Sequence, residues 1–147
     1  MALETVGAKG LVVGVDLQRV EPLEGAKFVQ GDMTKEGVVA EILGLMPRAD
    51  CVISDVSPEL SGNYSMDQAR SVHLSTMALE LAVKVLRKGG NFVTKVFEGE
   101  DIDELSGRVA ASFGTLKRHH PRASRAQSSE VYVIGRSFRG AAGEPVP

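Results

Sequence analysis

Cys51-Val52-Ile53-Ser54-Asp55-Val56-Ser57-Pro58 is the stretch whose reading decides the fold. An apolar run leads straight into Ser-Asp, and a proline follows three residues later. That is the pattern of a buried strand ending at an acid. In open α/β sheets, ligands bind beyond the carboxyl ends of the strands, so Asp55 stands where a ligand is expected.

Upstream, Leu11-Val12-Val13-Gly14-Val15-Asp16 is a second apolar run closed by an acid, and Gly25 to Gln30 is a shorter strand followed by Gly31-Asp32. Between that strand and Cys51, Val39, Ile42, Leu43 and Met46 recur at helical spacing, with Thr34 as cap and Pro47 as stop. Downstream, Ser65 and Gln68 read as a capping box. The helix they open carries Leu74, Met77, Ala78, Leu81, Ala82 and Val85 on one face and ends at Gly89-Gly90. Asn91 to Phe97 is the next strand. Asp101, Asp103 and Glu104 then open a helix with Ile102, Leu105, Val109 and Phe113 inward. Thr115–His119 and Val131–Gly135 are the last strands.

Strands alternating with helices predict one α/β domain over residues 1–138, with a largely parallel sheet. Residues 139–147, rich in Gly, Pro and Ala, read as a disordered tail. The chain opens unusually for such a domain: Ala2, Leu3 and Val6 look like the last turn of a helix rather than a first strand.

Composition narrows the function classes. The 147 residues are 43% apolar and 24% charged, ordinary for a globular domain. The lone Cys51 excludes an intramolecular disulfide framework and a Cys-based zinc cluster, which points to a reducing, cytoplasmic setting. No apolar run is long enough to span a bilayer. The net charge of −2 hides an asymmetry: Thr115–Arg139 holds six basic residues and one acid, while the remainder holds eleven basic and eighteen acidic ones. A basic segment on an acidic body is a footprint for a polyanion, or a solvated basic loop.

Asp16, Gly31-Asp32, Ser54-Asp55-Val56-Ser57-Pro58, Phe92-Val93-Thr94-Lys95-Val96-Phe97 and Ser128-Ser129-Glu130-Val131-Tyr132 occur in that order. Together they resemble the FtsJ/RrmJ family of S-adenosylmethionine-dependent RNA 2′-O-ribose methyltransferases, over about Gly7 to Phe138. The nearest relatives look like those that methylate a uridine ribose in large-subunit ribosomal RNA. The resemblance implies a Rossmann-like methyltransferase sheet, mostly parallel with helices on both faces. It implies Asp16, Asp32 and Asp55 as cofactor-binding residues, at the ribose, the adenine and the methionine end respectively. It implies Lys95, Asp55 and Glu130 as catalytic residues, with Lys95 as base. The family's glycine-rich cofactor loop and second catalytic lysine precede its first strand. Neither motif occurs in these 147 residues, and the first strand and helix of the fold are expected to be missing.

Residue chemistry supports these roles unevenly. A carboxylate closing a strand can hold two ribose hydroxyls, so Asp16 is a cofactor ligand or a loop cap. Asp32 alone is a common turn residue after glycine. Lys95, between Phe92-Val93 and Val96-Phe97, reads as a central-strand lysine; the alternative is an edge-strand lysine with its amine in solvent. An ordinary lysine, with pKa about 10.4, is neutral in only about one molecule in 2,500 at pH 7. A base role therefore needs its pKa lowered, and Asp55 and Glu130 would push it up. Arg118, His120, Arg122 and Arg125 are candidate RNA-phosphate contacts, and Asn63 and Tyr64 lie in a loop that can touch RNA. The expected partner is ribosomal RNA or the large ribosomal subunit, with no metal and no membrane. The competing reading is a truncated, inactive domain that at most binds RNA or a partner. Lys95 and the basic segment argue against a small-molecule methyltransferase.

Overall fold

The computed structural model describes residues 2–56, 58–121 and 130–140. Where the sequence suggests one domain over residues 1–138, contacts divide the chain into two compact units, Met1–Arg48 and Ala49–Pro147. The division follows the strands: among the described residues, the first two form one sheet and the other four a second.

The N-terminal unit contains α1 (Ala2–Val6), β1 (Val12–Asp16), β2 (Ala26–Gln30) and α2 (Glu36–Leu45). The strands pair in parallel, from Val12 opposite Ala26 to Asp16 opposite Gln30. Val29 is buried, as are Val39 and Ile42 of α2. The helix cap differs from expectation. Lys35 occupies the cap position without a side-chain bond, and the Thr34 hydroxyl donates to Asp32 instead, at 2.6 Å.

The C-terminal unit runs β3 (Ala49–Ser54), α3 (Tyr64–Val85), β4 (Leu86–Phe97), α4 (Ile102–Ser112), β5 (Phe113–His119) and β6 (Glu130–Phe138). Strand order is β3-β4-β6-β5, so Lys95 lies on an interior strand. The parallel arrangement holds for β3 with β4; β6 runs antiparallel to both β4 and β5. The expected tail beyond residue 140 lies outside the described residues.

Period-2 alternation gives β4 two different faces. Phe92, Thr94 and Val96 are fully buried. Thr94 meets Ser75 of α3, so this is the helix-covered face. Phe92, Phe113 and Phe138 form an aromatic run beneath the helices, with ring centroids 6.1 and 5.4 Å apart. Gly135 of β6 makes room for it, since a Cβ there would lie 2.7 Å from the Phe113 ring.

Helix α3 departs from the sequence expectations at three points. Its cap is Asn63, whose side chain accepts from the Met66 N–H at 3.2 Å, rather than Ser65. Of its expected inward face, Ala78, Ala82 and Val85 are buried, while Leu74, Met77 and Leu81 are only partly so; Gln68, Ser71, Val72, Ser75 and Leu79 are buried in addition. The small and polar residues among them let the helix approach β4 and satisfy its peptide groups. The helix also stops at Val85, before Gly89-Gly90; Arg87 and Lys88 already belong to β4. No helix among the described residues is long and apolar enough to cross a membrane.

Candidate active site

Lys95 projects from the face of β4 opposite α3. Its side chain is only 18% exposed, and its amine lies 2.5 Å from Asp55 Oδ1 and 3.7 Å from Glu130 Oε1. Three residues distant in sequence thus meet. Asp55 follows the end of β3, which is in register with β4 at Ser54–Thr94. Glu130 opens β6 opposite Phe97, and Lys95 itself faces Tyr132. Tyr132 in turn faces His119 of β5, with rings 6.4 Å apart, so one row of side chains crosses three strands.

The backbone beneath this row is held from the helix side. Ser75 Oγ donates to the Lys95 carbonyl at 3.3 Å and accepts from Thr94 Oγ1 at 3.0 Å. Ser71 Oγ accepts from the Phe97 N–H at 3.0 Å, and Gln68 Nε2 donates to the Phe97 carbonyl at 3.4 Å. The apolar spacing of the helix does not reveal these contacts. The available signal was the i, i+4 pair Ser71 and Ser75 in mid-helix, an unfavourable place for serine unless it bonds something.

Electrostatics set the form of Lys95. The Asp55 hydrogen bond raises its pKa above the ordinary lysine value; desolvation opposes this, and the charges of Asp55 and Glu130 reinforce it. In this arrangement Lys95 is an ammonium ion. Asp55 is 69% exposed, so the pair adds at most about 1 kcal/mol to folding. Its importance is geometric: a cation and two carboxylates converge on an open sheet face.

The loop after Asp55 is tied down by an acid that sequence reasoning passed over. Asp67 is buried in the first turn of α3 and accepts from Ser61 N at 3.0 Å and Ser61 Oγ at 2.7 Å. These bonds, the side-chain one first, hold its pKa below the ordinary value. Tyr64 opens α3 and donates its hydroxyl to the Glu98 carbonyl at 2.6 Å, crossing from the helix to the end of β4. Ser54 Oγ is buried and has no partner among the described residues.

The other expected residues fall as follows. Asp16 is exposed at the end of β1, and one carboxylate oxygen accepts from Gln18 N at 3.0 Å. The Gly31 N–H donates to the Asp16 carbonyl at 2.9 Å, which brings the loop bearing Asp32 to the same end of the two-stranded sheet. Asp32 Oδ1 accepts from both Thr34 N and Thr34 Oγ1, and these bonds lower its pKa. Among the described residues the second oxygen of each acid accepts no recorded bond, which fits a ligand rich in hydroxyl and amino donors. Asp16 and Asp32 belong to the N-terminal unit, and the Asp55–Lys95–Glu130 cluster to the C-terminal one. A cleft of about 330 Å³ in the N-terminal unit is lined by Gln18, Arg19, Phe28 and Gln30, and includes neither acid. Arg118 is engaged with α4, through Asp103 at 2.5 Å and Ser106 at 3.0 Å. His120 Nε2 lies 3.3 Å from Glu98 Oε1. Arg122 and Arg125, with Ser57, Ser128 and Ser129, lie outside the described residues.

Comparison with known proteins bears on the family and the fold. The FtsJ-like methyltransferase family matches residues 1–138. The protein named ribosomal RNA large subunit methyltransferase E in Methanocella arvoryzae is 47% identical over 129 residues, covering 88% of this chain and 50% of that protein. Its namesake in Methanococcus maripaludis is 47% identical over 142 residues, covering 95% and 55%. The chain therefore spans about half the length of the curated relatives it matches. Among solved structures, a Plasmodium falciparum protein assigned as a ribosomal RNA methyltransferase superimposes with a TM-score of 0.78. It is 20% identical, over 88% of this chain and 72% of that one. The fibrillarin pre-rRNA processing protein of Methanococcus jannaschii gives 0.60 at 15% identity, over 89% and 57%. At such identities these two likenesses concern the fold, which is the Rossmann-like methyltransferase fold. On the family match and the sequence relatives together, the chain belongs to the FtsJ-like methyltransferase family.

Proposed function

We propose that this chain carries the substrate-side chemistry of an RNA 2′-O-ribose methyltransferase acting on a uridine of large-subunit ribosomal RNA in the cytoplasm, with S-adenosylmethionine as methyl donor. The observation that carries the reading is the Asp55–Lys95–Glu130 cluster on an open sheet face, in a chain whose family match extends over residues 1–138. The donor would supply a methyl group on a cationic sulfur. Asp16 and Asp32 would hold its ribose and adenine, and Asp55 would border its methionine end.

Lys95 acts on the ribose 2′-oxygen, while Asp55 and Glu130 orient the amine and the hydroxyl. An O–H bond and the donor's S–CH3 bond would break and an O–CH3 bond would form; the donor's sulfur would leave as a neutral thioether, and one proton through Lys95 to solvent. Base action needs a neutral amine, and the two carboxylates oppose that state. Burial beneath bound RNA and the positive charge of the donor favour it. Below the Lys95 pKa the rate should therefore climb about tenfold per pH unit. A rate that stays flat or falls with rising pH would assign Lys95 as a fixed cation.

The test is methyl transfer from a radiolabelled donor to large-subunit RNA, followed by alkaline hydrolysis. A 2′-O-methyl group blocks cleavage at its own phosphodiester, so label in alkali-resistant dinucleotides supports the reading. Label in mononucleotides, or no label, refutes it; RNA binding without transfer would leave a binding module.

A further inference from the structure

We propose that Tyr64 is the base platform of this site, its exposed ring stacking on the nucleobase of the ribose presented to Lys95. The inference rests on the function proposed above and goes beyond it in naming what holds the base. Three observations carry it. Tyr64 is 51% exposed, although it is one of only two tyrosines in a chain without tryptophan. Its hydroxyl is already engaged by the Glu98 carbonyl at 2.6 Å, so what it offers outward is its ring. The ring is also braced, lying nearly parallel to Phe97 at a centroid distance of 6.4 Å and an interplanar angle of 18°.

Position completes the case. Phe97 is the next residue after Lys95 on the same face of β4, about 7 Å along the strand. It stands opposite Glu130, which is within 3.7 Å of the Lys95 amine. A base lying on Tyr64 is thus within one nucleotide's reach of the reacting centre. Single-stranded RNA is held by such anchored aromatics, because every base has a stackable face. Two exposed apolar side chains flank Tyr64 as well: Leu60 in the loop before it, at 73%, and Met66 in the first turn of α3, at 46%. The alternative role, a lid that only shields Phe97, would leave RNA binding unchanged when the ring is removed.

The experiment measures binding of two fluorescent probes, an oligouridylate of about ten nucleotides and an abasic ribose-phosphate chain of equal length. For Tyr64→Ala we expect about tenfold weaker binding of the oligouridylate and an unchanged affinity for the abasic chain. Tyr64→Phe keeps the ring and should stay within about threefold of the parent for both probes; it also guards against a folding defect in the alanine variant. Equal losses for both probes, or none for either, would overturn the platform while leaving methyl transfer by the parent protein intact. A parent protein that binds neither probe would overturn both the platform and the function on which it rests.

Discussion

The two faces of β4 differ in everything but their backbone. On one, Phe92, Thr94 and Val96 are sealed beneath α3. On the other, Val93, Lys95 and Phe97 alternate with them, half open, and Lys95 meets two carboxylates. One strand thereby separates stability from chemistry at single-residue spacing. The sealed face supplies rigidity, and the open face uses that rigidity to hold an ion cluster that contributes little to folding.

Removing the Lys95 side chain is the sharpest way to test that separation. Lys95→Ala should lower methyl transfer by about 10²- to 10⁴-fold and change stability by no more than about 1 kcal/mol. Initial rates and a urea titration on the same preparation check both. The reverse experiment is Phe113→Ala, which should cost about 3–5 kcal/mol in urea. A smaller loss would mean that the aromatic run beneath the helices is not the mainstay of this unit.

Ser75→Ala joins the two faces, since it strips a partner from the buried Thr94 hydroxyl and a donor from the Lys95 carbonyl. It should cost about 1–3 kcal/mol and also slow transfer. Unchanged rates would show that the strand holds Lys95 without the helix.

Smallest are the pH effects. A raised Lys95 pKa stabilises the fold fully below the ordinary lysine value of 10.5, and that contribution is lost as pH climbs through the raised folded value. Asp67 behaves oppositely. Its lowered pKa stabilises above the ordinary 3.8, and the contribution disappears as pH falls through the lower folded value. Asp67→Asn should flatten the acid limb of the stability curve and leave the alkaline limb unchanged, as thermal melts across pH would report.

Much of this was legible in the residues. Cys51–Ser54 and Asn91–Phe97 declared themselves as strands by their apolar runs, and the acids at their ends and the lysine within them marked the site. The burial of Ser71 and Ser75 in α3 was not legible, because apolar spacing is blind to serines that bond a neighbouring strand. Nor was the strand Leu86–Phe97 legible in full length, since Gly89-Gly90 resembles a helix stop; Gly89, at φ +85°, instead sits within the strand.

By itself, then, the sequence determined which segments are strands, which acids close them, and that a lysine lies among apolar neighbours. Those are local properties, set by side-chain period and residue type. Only the tertiary structure decided that Asp55 and Glu130 both reach Lys95, that they raise its pKa, and that Tyr64 is braced against Phe97 with its hydroxyl already engaged. These depend on strand register and on contacts between residues far apart in the chain, which no local pattern encodes.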